Sequence, residues 1–83
     1  MYVYNPLNLV VLKTKFNMTN EDICSVTGLK SVNSVTKRIN GSIPLTAHEI
    51  AVLCNHTQKV AEKHPSLKPH IYTPIDFFDK FEE

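Results

Sequence analysis

Residues 19–41 read TNEDICSVTGLKSVNSVTKRING, a stretch that contains the patterns of two short helices. Thr19 with acidic residues in the following turn is typical of a helix start, because carboxylates are stabilised near a helix N-terminus. Gly28 is expected to end this helix, since glycine readily adopts a left-handed conformation. Ser31 is the predicted cap of the next helix, which Asn40-Gly41 ends.

The predicted helix after Ser31 has one apolar and one polar face. Its apolar positions follow the i, i+3, i+7 spacing and are Val32, Val35 and Ile39, which we expect to turn inward. The opposite face carries short or basic polar side chains, namely Asn33, Ser34 and Lys37. A face of this kind is suited to contacts with polar surfaces.

Two further helices are predicted on either side of this pair. Asn5-Pro6 is a capped start for a helix over 7–16, and Asn17 suits a left-handed helix end. Thr46 and Glu49 have capping-box spacing and open a fourth helix. That helix either continues to about residue 63 or breaks at residues 55–56. The predicted core comprises Leu12, Phe16, Ile23, Val26, Leu29, Val35, Ile39, Ile50 and Leu53.

The sequence therefore predicts an all-α fold, a small bundle of four to five helices with a short C-terminal helical tail. Residues 1–64 form the predicted domain, and residues 65–83 a proline-containing linker with an acidic, aromatic tail. Thr73-Pro74 is a further capped helix start. Three apolar residues recur at spacing three in this tail, and we expect them to be buried either on the domain's own surface or as a partner or dimer surface: Ile75, Phe78 and Phe81.

Length and composition narrow the class of protein. A chain of 83 residues with 42 % hydrophobic and 20 % charged residues has room for one globular domain. It contains no long apolar stretch and no dense cysteine framework, which favours a reduced, cytoplasmic protein. Cys24 and Cys54 fall on inward faces, and we expect them to be structural thiols. Neither a cofactor nor a metal is expected, and the chain is not expected to be an enzyme.

Charge is unevenly distributed along the chain. Residues 1–70 carry eight basic and four acidic side chains, whereas residues 71–83 carry one basic and four acidic. A mildly basic body is favourable for binding nucleic acid. Two short helices joined by a turn with glycine also match the helix-turn-helix pattern, in which the second helix enters the major groove. The solvated face of an ordinary helix produces the same polar pattern, so both interpretations remain open here.

Residues 13–53 resemble the Cro/repressor-type (lambda-repressor-like) helix-turn-helix DNA-binding domain of temperate phages, their hosts and some antitoxins. The similar segments are FNMTNEDI at 16–23, VTGL at 26–29, VTKRING at 35–41, PLT at 44–46 and EIA at 49–51. Three features depart from the family pattern. The stretch 28–35 is one residue longer, Arg38 stands where a bulky apolar residue is common, and Val32 falls near a position where a Gln often reads bases.

The resemblance implies a phage-like transcription regulator or repressor that binds double-stranded operator half-sites as a homodimer through a recognition helix at 31–40. By position, the residues that face bases are Ser31, Asn33, Ser34 and Lys37. Those near phosphates are Asn20, Lys30, Asn40 and Ser42. The alternative is a protein-interaction module on the same fold, either an antirepressor or modulator of a partner repressor, or an antitoxin that binds a toxin.

Overall fold

A computed structural model describes residues 1–80 of the chain, so Phe81 of the predicted tail surface lies outside the described residues. Most of this range is helical, which confirms the predicted helical class. The elements are β1 (Tyr2–Tyr4), α1 (Pro6–Lys15), α2 (Asn20–Thr27), α3 (Val32–Ile39), α4 (Ala47–Lys63), two 3₁₀ helices (Pro65–His70 and Pro74–Phe77) and β2 (Phe78–Lys80). Helix α4 is continuous through residues 55–56, so the uninterrupted alternative is the right one.

Most helix ends follow the local sequence signals, but Ser31, the predicted cap of α3, makes no side-chain capping hydrogen bond. The side chain of Asn5 accepts a hydrogen bond from the backbone of Leu7 at 3.0 Å and caps α1. Capping boxes form at the starts of α2 and α4. Thr19 exchanges hydrogen bonds with Asp22, and Thr46 exchanges them with Glu49. Asn17 and Gly28 adopt positive φ angles of 50° and 76°. These ends form as predicted because each depends on neighbouring residues alone.

One hydrophobic core joins all four α-helices. Its buried apolar members are Leu9, Leu12, Phe16, Met18, Ile23, Val35, Leu45, Ile50, Leu53 and Phe77. Three predicted core residues, Val26, Leu29 and Ile39, are only partly buried and pack around this centre. Phe77, which follows the proline-containing segment, is fully buried in the same core. Residues near the C-terminus thus stabilise the helical domain directly.

The predicted helical tail is wrong beyond its first turn. Thr73 and Asp76 do form a capping box, but the 3₁₀ helix ends at Phe77 and the chain continues as β2. Strand β2 pairs antiparallel with β1, and the backbone N–H of Asn5 donates to the carbonyl of Phe77 at 3.1 Å. These long-range hydrogen bonds satisfy the main chain that a continued helix would have used.

Within one protomer the spacing of three does not describe which tail residues are buried. Ile75 is 50 % exposed, so its burial would require a second copy or another partner, whereas its neighbour Phe77 is enclosed. Phe78 is half-buried and packs edge-on against Tyr4, with ring centroids 6.2 Å apart. The change from helix to strand at Phe78 breaks the spacing of three on which the prediction depended.

No helix within residues 1–80 combines the length and the apolar content that crossing a membrane requires.

Candidate nucleic-acid interface

Helices α2 and α3 pack against each other across a short connection at residues 28–31. The packed sides are anchored by Ile23 and Val35, which are both almost completely buried. Gly28 supplies the left-handed turn, and the thiol of Cys24 donates a hydrogen bond to the carbonyl of Leu29 at 2.9 Å. The turn is therefore tied to α2, and α3 is held with one face inward and the other exposed.

The exposed stripe of α3 consists of Val32 and Asn33 and, one helical turn later, Thr36 and Lys37. Of the residues predicted to face bases, Asn33 and Lys37 lie in this stripe, Ser31 is exposed at the N-cap, and Ser34 is half-buried beside it. The hydroxyls of Ser31 and Ser34 are 3.4 Å apart. The structure thus brings the four predicted side chains onto adjoining parts of one surface.

Val32 does not turn inward as predicted, because it is 38 % exposed. It is the first residue of α3, so no preceding helical turn of α3 packs over it. Thr36 belongs to the same stripe and was missed by sequence reasoning. Its position three residues after Asn33 and four after Val32 is the signal that could have identified it.

The start of α2 brings together a cation and an amide. Asn20, the first residue of α2, accepts a hydrogen bond at its side-chain oxygen from the ammonium group of Lys13 on α1. Lys13 was not among the predicted site residues, and no local pattern links it to Asn20 across the intervening turn. A positive charge therefore lies beside the free N–H groups of a helix N-terminus.

Acidic groups oppose this charge. Glu21 and Asp22 occupy the same first turn of α2. The pKa of the Asp22 carboxyl is lowered chiefly by a hydrogen bond from the backbone of Thr19 and additionally by one from the Thr19 side chain. This carboxyl stays ionised at neutral pH. The start of α2 is thus electrically mixed rather than strongly basic.

The other predicted phosphate contacts lie at the two ends of α3. Lys30 is exposed in the turn before the helix, and Ser42 is exposed in the loop after it. Asn40 is the C-cap residue, and its side-chain oxygen accepts from the backbone N–H of Ser42 at 3.0 Å. Asn40 therefore has a structural role in this loop, although the residue as a whole is exposed.

Arg38 is directed into the protein rather than toward the polar stripe. Its Nε and Nη2 donate to the two carboxylate oxygens of Glu49, each at 3.1 Å, and Nη1 donates to the carbonyl of Ser34 at 3.1 Å. The two side chains are only 11 % and 7 % exposed. This forked pair links α3 to the start of α4 and fills the position where the resembled family often has an apolar residue.

From the sequence alone, Glu49 is predicted only to cap the start of α4. Burial by itself would raise the pKa of this carboxyl, but the hydrogen bonds from Arg38 and from the backbone of Thr46 outweigh it and lower the pKa. The ionised form of Glu49 is consequently the form that the fold stabilises.

The free energy of unfolding should therefore fall in acid as Glu49 becomes protonated. The pKa of Glu49 is lower in the folded state than its ordinary value of 4.5. The contribution of Glu49 to the free energy of unfolding is therefore complete above pH 4.5, and it is lost as the pH falls through the pKa of the folded state. We expect Glu49→Gln to be less stable than the wild type at pH 7, with the difference narrowing toward pH 3. Denaturant titrations of both proteins across this range measure the effect, and a pH-independent difference would contradict it.

No protein-family model matches the chain, and neither a curated protein nor a solved structure is detectably similar to it.

Proposed function

We propose that this protein is a sequence-specific DNA-binding transcriptional regulator of the Cro/repressor type, with α3 as its recognition helix. The observation that carries the proposal is the exposed stripe of Asn33, Thr36 and Lys37 on α3, whose inward side is held by the buried Val35. A helix held by its apolar side on a compact domain can present such a stripe to the major groove, which is wide enough to admit an α-helix.

The side chains of the stripe have the chemistry of base recognition. Asn33 can form two hydrogen bonds with adenine, and Lys37 can donate to the acceptor atoms of guanine. The exposed methyl groups of Val32 add an apolar surface suited to the C5-methyl group of thymine. Ser31 and Ser34 border these residues and can donate to or accept from a base edge.

Phosphate contacts would position α3 in the groove. Asn20 at the start of α2, together with the Lys13 ammonium group bound to it, would form one point of contact, and Lys30 would form a second before α3. Amide, hydroxyl and ammonium groups of this kind set the orientation of a protein on the duplex. Arg38 is excluded from this role because Glu49 holds its guanidinium group.

Loss of a base contact and loss of a phosphate contact should have different effects on DNA binding. We expect Asn33→Ala to remove about 1–3 kcal/mol of discrimination at one base pair while leaving binding to random DNA nearly unchanged. Asn20→Ala should weaken specific and random DNA together, because phosphates are present in every sequence. Titrations of operator-derived and random duplexes at several salt concentrations test both expectations.

Matched controls are available on α4. Asn55→Ala removes an exposed helical asparagine, and Lys59→Ala removes an exposed helical cation. Both should leave sequence preference unaltered, whereas Lys37→Ala should change it. Loss of preference with Asn55→Ala equal to that with Asn33→Ala would show that α3 is not the reading surface.

A groove between α2 and α3 favours a second candidate function, a protein-interaction module that acts as an antirepressor or antitoxin. This open groove of about 420 Å³ is lined by Glu21, Cys24, Ser25, Gly28, Leu29 and Val32. Its lining combines the apolar side chains of Leu29 and Val32 with the carboxylate of Glu21, which suits a protein partner better than a phosphate backbone. A folded protein without specific binding at low salt to DNA from its own regulatory region would favour this module over the regulator.

A further inference from the structure

The outer edge of β1 is a hydrogen-bonding surface separate from the polar stripe of α3. The two-stranded sheet pairs Tyr2 with Lys80, Val3 with Asp79 and Tyr4 with Phe78. Only β2 pairs with β1 within residues 1–80. The side of β1 remote from β2 therefore presents an unpaired strand edge, and natural proteins seldom leave such an edge unprotected.

The hydrogen-bond register identifies which groups point outward. The N–H of Asn5 donates to the carbonyl of Phe77, so these opposed residues form a hydrogen-bonded position of the ladder. Hydrogen-bonded and non-hydrogen-bonded positions alternate along an antiparallel pair, which places Val3 with Asp79 at the next bonded position. The backbone groups of Tyr2 and Tyr4 consequently point away from β2.

This edge is complementary to itself. If a second β1 lies antiparallel with Val3 on the two-fold axis, Tyr2 faces the partner's Tyr4 and Tyr4 faces the partner's Tyr2. Both residues of each facing pair have outward N–H and carbonyl groups, so two bonded positions form without any change of register. An isologous contact requires this kind of match, in which one surface binds its own copy.

Charge and exposure favour the same occupant. Residues 1–12 contain no charged side chain, so a two-fold contact here opposes no like charges. The usual protections of a strand edge are charged side chains and proline, and Tyr2–Tyr4 has neither. Three of the eight exposed large apolar side chains within residues 1–80 lie on β1 or directly before it: Met1, Tyr2 and Val3.

We infer that a second copy of this chain pairs along the outer edge of β1, so that the two protomers share a continuous four-stranded sheet centred on Val3. The inference goes beyond DNA binding and does not require it. It also differs from the tail surface predicted from the sequence, because Ile75 lies in the 3₁₀ helix Pro74–Phe77 and not at this edge. The hydroxyl of Tyr4 donates to the carbonyl of Arg38 at 3.1 Å, which connects the proposed interface to the end of α3.

Val3→Lys in the full chain tests the interface. The substitution sets two ammonium groups against each other at the two-fold axis and should raise the dimer dissociation constant about tenfold or more. Within one protomer the new lysine lies across from Asp79, an opposite-charge pair that is compatible with folding. Sedimentation over a range of protein concentrations measures the constant, and a far-UV spectrum with a thermal melt checks the fold.

Two variants of matched chemistry serve as controls. Val11→Lys changes a valine that is 41 % exposed on α1, close to the 46 % exposure of Val3. Ile75→Lys changes the exposed apolar residue of the tail. Both should leave the dissociation constant within about twofold of the wild type. The inference is overturned if Ile75→Lys dissociates the dimer and Val3→Lys does not, or if the wild type remains monomeric at all concentrations measured.

Amide hydrogen exchange supplies a readout without mutation. The N–H groups of Tyr2 and Tyr4 should exchange rapidly at low protein concentration and slow down as dimer forms, whereas that of Val3 is bonded to β2 in either state. Concentration-independent exchange at Tyr2 and Tyr4 would reject edge pairing. Failure of DNA binding leaves this measurement unaffected, so the two proposals can fail separately.

Discussion

Replacing Phe77 by alanine should lower the free energy of unfolding by about 3–5 kcal/mol, the range found when a buried aromatic side chain is truncated. Phe77 is fully buried and packs edge-on against Tyr72, with ring centroids 5.1 Å apart. A domain of this size has only about 3–5 kcal/mol to lose, so much of the variant should be unfolded at room temperature. Urea denaturation followed by far-UV circular dichroism measures the change.

The adjacent phenylalanine is the control. Phe78 is half-buried on β2 and contacts Tyr4, so Phe78→Ala removes a ring of equal size from a less enclosed position. We expect it to destabilise the domain by clearly less than Phe77→Ala. Equal losses, or a Phe77→Ala protein that melts within a few degrees of the wild type, would mean that Phe77 does not complete the core.

Replacing Arg38 by methionine should also cost about 3–5 kcal/mol, because it leaves the carboxylate of Glu49 buried without its cation. Methionine fills much of the volume of the arginine stem, so the loss reports chiefly on the charge. Arg38 donates as well to the carbonyl of Ser34, and this hydrogen bond is lost in the same variant. Denaturant titration at pH 7 measures the loss.

A double variant separates charge from packing. Glu49→Gln removes the negative charge and keeps an oxygen that can accept from the backbone of Thr46, as the carboxylate does at 3.0 Å. Arg38→Met combined with Glu49→Gln should therefore be more stable than Arg38→Met alone at pH 7. If the double variant is less stable than the single one, the penalty comes from lost packing and not from an unpaired charge.

The candidate site was only partly predictable from residue types. Asn33 and Lys37 are exposed as the helical spacing indicated, because Val35 is buried in the core and Ile39 packs against it from the same side of α3. Val32 matched the apolar pattern equally well and yet is exposed. The period of a helix specifies which residues share a face, but the packing partners specify where the inward face ends.

The sequence patterns did not predict contacts between distant segments of the chain. Arg38 and Glu49 each had an acceptable local interpretation, and neither pattern indicates that their side chains meet between α3 and α4. The same is true of Lys13 beside Asn20. A side-chain pair between elements depends on how the helices pack, which apolar periodicity describes only as inward or outward.

Helix starts and stops at Asn5, Thr19, Gly28 and Thr46 were correct from the sequence, because caps and left-handed turns are settled by hydrogen bonds within a few residues. The tail was not predictable in this way. Thr73 and Asp76 favour a helical turn, and they form one, but pairing of Phe78–Lys80 with Tyr2–Tyr4 converts the next residues to a strand. Strand pairing joins residues more than seventy positions apart, and its hydrogen bonds become available only when the helices bring the two ends of the described chain together.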